Sequence, residues 1–251
     1  MSNPKLNILI PVYNEEKRLQ KGVRDTYEYL SKDTGISYVL TIVDNASTDR
    51  TEEIARTLCA ELPKQVHYIR IAEKGVGAAF RAGVTENQCD IVGYMDVDLS
   101  TDIRHVTEMY HAFCADAALD MVNASRWCRQ SETTGRKFYR NLTSIGLVYL
   151  LKLVFGMKAS DAICGFKFFR KETVEALIAE AGASTNGWFY LIELLLRAER
   201  SGLNILELPV RWIDDSKNST VHTIRLIQEY LHQIVSLKRR FRQEVKQHDI
   251  R

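Results

Sequence analysis

Ile91-Val92-Gly93-Tyr94-Met95-Asp96-Val97-Asp98-Leu99 is a short apolar run that stops at two carboxylates one residue apart. Five residues of this kind bounded by polar ones read as a strand buried on both faces, Ile91 to Met95. Alternate residues leaving its end aim Asp96 and Asp98 toward one crevice. Hard divalent cations such as Mg2+ or Mn2+ take carboxylate and phosphate oxygens and keep waters that a diphosphate can replace. A DxD triplet alone arises often by chance. At the end of a buried strand it points to metal-assisted binding of a nucleoside diphosphate.

The same punctuation occurs upstream. Leu6 to Val12 reads as a strand, followed by a helix from about Asn14 to Ser31 with apolar positions Leu19, Val23, Tyr27 and Leu30. Tyr38 to Val43 is a second strand ending at Asp44, and Ser47, Thr48 and Asp49 are cap residues ahead of the next helix. Val66 to Ile71 is a third, leading through Gly75 and Gly77 into a helix. This α/β alternation with short connections predicts a mostly parallel twisted sheet with helices on both faces, whose ligand crevice lies beyond the carboxyl ends of the strands. Tyr13, Asn14 and Glu15, then Asp44 and Ser47, then Asp96 and Asp98 thus converge on one acidic mouth. Asp49 and Asp102 are read as helix caps.

With 251 residues, 45% hydrophobic, 26% charged and only 4 Pro, the chain is neither collagen-like, low-complexity nor disordered, and its length suits one α/β domain with a C-terminal extension. Cys59, Cys89, Cys114, Cys128 and Cys164 are scattered and never in a CxxC pair, which favours a reduced, cytosolic setting over a disulfide framework or a zinc site. The six histidines show neither HExxH nor triad spacing. No signal peptide is evident, and the run Ile145 to Phe155, broken by Lys152, falls short of the ~20 apolar residues a membrane span needs. A cytoplasmic protein, soluble or peripheral to a membrane, is expected. No nucleic-acid partner is expected.

Beyond a fifth strand, Asp120 to Ala124, the alternation becomes irregular. Arg126 to Arg140 is polar and basic, Leu142 to Phe155 reads as an amphipathic helix, and Cys164 to Arg170 as a strand in which Phe166 and Phe168 alternate with Lys167. A helix from Trp188 to Ser201, a strand from Asn204 to Arg211 and a long helix from Val221 to Lys246 follow. In that last segment Val221, Ile224, Ile227, Leu231, Ile234, Val235 and Leu237 recur at helical spacing. From Val221 to Arg251 seven basic residues, including Lys238, Arg239, Arg240 and Arg242, stand against three acids. Packing on the domain or on a second subunit is one reading of this helix. Docking at an anionic bilayer is the other.

Gly75-Val76-Gly77 precedes a helix, but Phe80 holds the third position of a GxGxxG fingerprint, and the turn after the first strand is Pro11-Val12-Tyr13-Asn14-Glu15. A nicotinamide-linked oxidoreductase is therefore not expected. These glycines let a loop pass close to a ligand or to another backbone.

Ile8 to Glu16, Val43 to Asp49, Lys74 to Ala79 and Met95 to Leu99, in this order and spacing, resemble the motifs of a family-2 glycosyltransferase of the GT-A fold. Asn45 departs from a pattern that commonly has a second Asp there. Asn123 to Arg126, Arg140 to Ser144, Asp161 to Phe169 and Trp188 through Glu193 to Leu196 are similar to dolichyl- and polyprenyl-phosphate sugar synthases, the Cys164-Gly165-Phe166-Lys167 run more to the glucose branch than to the mannose branch. The resemblance covers residues 1–220 as a GT-A catalytic domain and leaves 221–251 as a basic amphipathic helix.

That resemblance implies inverting transfer of a hexose from a UDP- or GDP-linked donor to a lipid phosphate. Pro11, Tyr13, Glu15 and Asp44 would hold the nucleobase and ribose with Asp96 beside them, and Gly77 belongs to the same donor site. Asp98 would ligate Mg2+ or Mn2+. Arg126, Arg140 and Ser144 match positions that bind the acceptor phosphate, and Arg211 and Lys217 would close over the diphosphate, although the glycine usual before Ser216-Lys217 is absent. A phosphate acceptor is already ionised near neutral pH and needs positioning more than a base. A glycan or other hydroxyl acceptor would need a carboxylate base, for which Asp161 and Glu193 are available. Each residue also has a plainer role: Arg126 and Arg140 in ion pairs with acids, and Glu193 as a buried acid satisfied by an arginine. A noncatalytic nucleotide-sugar-binding protein is the remaining alternative.

Overall fold

The computed structural model describes residues 3–32, 35–136, 138–214 and 223–248. Strands β1 (Leu6–Val12), β2 (Tyr38–Asn45), β3 (Val66–Ile71) and β4 (Ile91–Met95) alternate with helices α1 (Leu19–Ser31), α2 (Thr51–Glu61) and α3 (Val76–Thr85). Then come α4 (His105–Ala115), β5 (Met121–Ser125), β6 (Glu132–Thr134), α5 (Phe138–Phe155), β7 (Phe166–Arg170), α6 (Lys171–Ala181), α7 (Phe189–Arg200), β8 (Ile205–Pro209), β9 (Arg211–Ile213) and α8 (Thr223–His248).

Seven strands form one sheet in the order β3-β2-β1-β4-β7-β5-β8. β1 pairs in parallel with β2 on one side and β4 on the other, Leu6 lying opposite both Tyr38 and Ile91. Successive side chains of β1 point to opposite faces, so Ile8 and Ile10 enter one core while Leu9 enters the other. The first core is covered by α1, α2 and α4 through residues such as Val23, Leu58 and Phe113. The second is covered by α3, α5, α6, α7 and α8 through Phe80, Leu151, Leu177, Leu195 and Ile234. Burial on both sides explains why these strands are apolar runs rather than alternating ones.

Besides α6 and β6, which the sequence reading did not foresee, three features depart from it. α1 begins at Leu19, not Asn14, because Asn14 takes a left-handed backbone (φ 55°) and the turn is clamped to the start of α2. The Asn14 amide donates to Ser47 Oγ at 2.9 Å and the Glu15 amide to Thr51 Oγ1 at 2.8 Å. β7 runs antiparallel to both neighbours, entering the sheet at the carboxyl end of β4, where Phe166 pairs with Met95. Being central, it buries Lys167 completely along with its phenylalanines. The strand expected from Asn204 to Arg211 divides after Pro209: β8 continues the sheet beside β5, while β9 pairs with β6 in a separate two-stranded ribbon.

Candidate active site

The chain turns from β1 to β2 and β3 on one side of the sheet and returns to β4 on the other, so the ends of β1 and β4 open side by side. Ligands bind at such a switch point. A cavity of about 720 Å³ lies there, reached by Pro11, Tyr13 and Glu15 after β1, Asn45 at the end of β2, and Asp96 and Asp98 after β4. α5 and α8 form its far wall, with Arg140, Ser144, Leu147, Leu150 and Leu231.

One half is acidic. Asp98 accepts the Ser100 amide at 3.0 Å and lies 3.6 Å from the Arg18 guanidinium, which also grips Glu15 at 2.6 and 2.7 Å. Burial and the neighbouring Asp98 charge push Asp96 up to about 8, against the pull of Arg126 and Lys167. Gly165 leaves room for Asp96: a Cβ there would stand 1.8 Å from its Oδ2. Two adjacent carboxylates that repel each other suit a hard divalent cation, and among the described residues no third His, Cys, Asp or Glu completes an all-protein cage. The donor set thus fits a cation that fills its remaining positions with phosphate oxygens and water.

The other half is basic. Arg126 is buried and makes a two-pronged pair with Asp161, at 2.6 and 3.0 Å. Burial works against charge on Asp161, but Arg126 and the Ile163 amide outweigh it and hold the carboxyl below its ordinary value. Arg140 pairs with Asp214 at 3.2 Å. Arg136, between them in sequence, is held by neutral groups: it donates to Ser144 Oγ at 2.7 Å and Asn141 Oδ1 at 3.1 Å, and its Nε is buried without a hydrogen-bond partner. Burial and then the charges of Arg126 and Arg140 bring its pKa down to about 10. A cation so crowded by like charge is stabilised by an anion.

The structure brings Pro11, Tyr13, Glu15, Asp96, Asp98, Arg126, Arg140 and Ser144 to this one cavity. Asp44, Gly77 and Arg211 stand outside its lining. Asp44 is buried at the end of β2, accepting the Ser47 amide and the Tyr68 hydroxyl. Gly77 packs on another backbone, its amide donating to Asn186 O at 2.8 Å. Arg211 is half exposed between Asp102 and Glu132. Lys217 lies outside the described residues, as does the boundary at 220 and 221. The two acids proposed as bases are engaged: Asp161 by Arg126, and Glu193, fully buried outside the cavity, by Arg197, Arg240 and Ser184.

Sequence reading missed Arg136, Lys74 and the reason for Asn45. The Lys74 ammonium lies over the Tyr13 ring, 3.7 Å from its centre. Asn45 donates to Val12 O at 2.7 Å and accepts from the Gly75 amide at 3.0 Å, tying β1 to the loop before α3. An aspartate could accept but not donate there. Asp49 and Asp102 do receive the Thr51 and Arg104 amides ahead of α2 and α4.

Comparison with known proteins follows the same lines. The chain is 31% identical over 208 residues to glycosyltransferase AglD of Haloferax volcanii, covering 82% of this chain but 33% of that one. It thus spans a third of the length of that relative. It is 30% identical over 237 residues to dolichyl-phosphate beta-glucosyltransferase ALG5A of Trichomonas vaginalis, covering 90% and 72%. Its fold is similar to that of glucosyl-3-phosphoglycerate synthase from Mycobacterium tuberculosis in complex with UDP, with a TM-score of 0.68 at 17% identity over 94% and 80% of the two chains. The mixed, mostly parallel sheet with its switch point is the GT-A arrangement. The model of Glycosyl transferase family 2 matches residues 7–178. That match covers more than half of the chain, which belongs to glycosyl transferase family 2 and is a glycosyltransferase.

Proposed function

We propose that the chain transfers a hexose, with inversion, from a UDP- or GDP-linked donor to the phosphate of a polyprenyl or dolichyl phosphate. The observation that carries this reading is the presence, in one cavity, of an acidic pair, three arginines and an apolar wall. Asp96 and Asp98, Arg126, Arg136 and Arg140, and Leu147, Leu150 and Leu231 all line it. A diphosphate donor suits the first, a monophosphate the second, and a hydrocarbon chain the third. The name of the Trichomonas relative supports the same acceptor class.

On this reading Pro11, Tyr13 and Glu15 hold the nucleobase and ribose, with Asp44 behind them and Lys74 stacked on Tyr13. Asp98, with Asp96, holds Mg2+ or Mn2+, whose charge when bound stabilises the departing diphosphate. Arg136, Arg140 and Ser144 bind the acceptor phosphate. Arg126, locked by Asp161, adds fixed positive charge without moving. Ionised acceptor oxygens attack without a base once oriented in line. The engagement of Asp161 and Glu193 in ion pairs supports this reading over a hydroxyl acceptor, which needs a free carboxylate.

The test is the product of a donor panel, UDP-glucose, UDP-galactose and GDP-mannose, with polyprenyl phosphate and Mg2+ or Mn2+. A lipid-linked hexose whose anomeric configuration by NMR is opposite to the donor's is expected. A product that keeps the donor's configuration contradicts inversion, and sugar found only on hydroxyl acceptors contradicts the phosphate assignment.

A further inference from the structure

α5 buries Ser144, Val148 and Leu151 against the body of the protein. Its opposite side carries Phe138, Leu142, Tyr149 and Leu153, exposed by 81%, 61%, 69% and 85%. Spacings of four, seven and four residues put all four on one stripe of the helix. Counting Tyr139, half of the large apolar side chains exposed among the described residues belong to this one helix. Soluble surfaces seldom leave so continuous an apolar strip uncovered.

Its surroundings say what covers it. On α8, Leu231 and Val235 are half exposed, and Arg242 and Lys246 follow on the same helical face. Arg239 is exposed beside them. The rings of Phe155 and Phe241, 5.8 Å apart, hold the end of α5 against α8, which puts these cations on the helix next to the apolar stripe. Apolar and aromatic residues on one helix face with basic residues alongside match a bilayer surface with anionic headgroups. No helix of the described residues is long and apolar enough to cross a membrane, and an interfacial helix has no need to be.

We propose that the exposed stripe of α5, flanked by the basic face of α8, docks the chain on the surface of an anionic lipid bilayer. α5 supplies the apolar immersion and α8 the electrostatic attraction, a division not foreseen from the sequence, where the C-terminal helix alone carried both. The same two helices wall the cavity, with Leu147, Leu150 and Leu231 in its lining. Docking therefore brings that wall of the cavity to the membrane, from which an amphiphile's phosphate reaches the arginines while its chain stays in lipid. Only this last consequence rests on the proposed acceptor; the docking itself is measured without donor or acceptor.

The full chain is floated with vesicles of phosphatidylcholine alone and of phosphatidylcholine with about a third phosphatidylglycerol, where two signals together are needed for stable attachment. Binding to the anionic vesicles that weakens with added salt is expected. The double variant Leu142→Glu/Leu153→Glu is expected to lose about tenfold or more of that binding, since each change removes apolar immersion and adds repulsion. Leu206→Glu, on β8, controls for an added surface charge and should bind as the parent does; circular dichroism confirms that all three chains are folded. Binding that is absent, or equal in the folded double variant and its parent, overturns the proposal. So does a dimer in sedimentation that the double variant abolishes while vesicle binding is kept, which would assign the stripe to a second copy.

Discussion

Asp96 occupies space that only glycine at 165 leaves open, since a Cβ there would meet its carboxylate and would have to displace it. Gly165→Ala is therefore expected to reduce turnover by about a hundredfold or more, the scale of misplacing a catalytic group by an ångström. Its thermal unfolding should remain cooperative. Asp98→Ala should remove metal-stimulated turnover while the protein stays folded, and an unchanged rate under saturating Mg2+ or Mn2+ would contradict its role. Arg136→Gln keeps a donor to Ser144 but loses the charge, so KM for the lipid phosphate should rise about tenfold with donor hydrolysis little changed, as expected for one charge-assisted hydrogen bond. Equal losses in both reactions would assign Arg136 to structure. Arg126 is a poorer probe, because its removal leaves Asp161 buried and unpaired. The acidic pair was legible in the sequence because strand and carboxylates are contiguous. Arg136 was not, because in a basic stretch only the fold reveals that Arg126 and Arg140 have carboxylates and Arg136 has serine and asparagine.

At the scale of elements, α8 is fastened to α7 by a buried charge cluster. Glu193 accepts from Arg197 at 3.0 Å and from Arg240 at 2.6 and 2.7 Å, and Arg197 reaches Glu244 at 2.9 Å. Tyr230 and Leu231 of α8 line the cavity, so this cluster holds one wall of the site. Glu193→Ala removes the acceptor that Arg197 and Arg240 share, leaving Arg197 to Glu244, and is expected to cost about 3 kcal/mol. That corresponds to a fall in Tm of about 10 °C, measurable by calorimetry. A shift within about 2 °C would mean the cluster contributes nothing net. Most helices were legible because their apolar periodicity survives in one dimension, whereas α6 was not read from the sequence. The late start of α1 depends on Ser47 and Thr51, thirty-odd residues away, and β6 with β9 on a pairing between distant short segments. Local pattern contains neither.

For the whole molecule, the pair of Arg126 and Asp161 ties acid stability to the site. Asp161 titrates below its ordinary value in the folded state. Its contribution is therefore complete above the unfolded carboxylate value of about 4 and is lost as pH falls through the lower folded value. Asp161→Asn should be less stable than the parent at neutral pH, and the gap should close as pH drops below about 4 in denaturant titrations. A gap that stays constant with pH would show that the charge of Asp161 adds nothing. The parallel order of β1 to β4 and their converging ends were readable from alternation alone, whereas the antiparallel β7 that seats Gly165 beneath Asp96 was not, since direction of entry is decided by the connection from α5.

The most direct measurement is transfer of label from a nucleotide sugar to polyprenyl phosphate, with polyprenyl alcohol as the matched acceptor and with or without Mg2+ or Mn2+. Label should enter the chloroform phase only with the phosphate and only with the cation, and Arg136→Gln and Arg140→Ala should reduce it. Equal labelling of the alcohol, or transfer that is indifferent to both arginines, would contradict a site built to join a diphosphate donor to a phosphate acceptor.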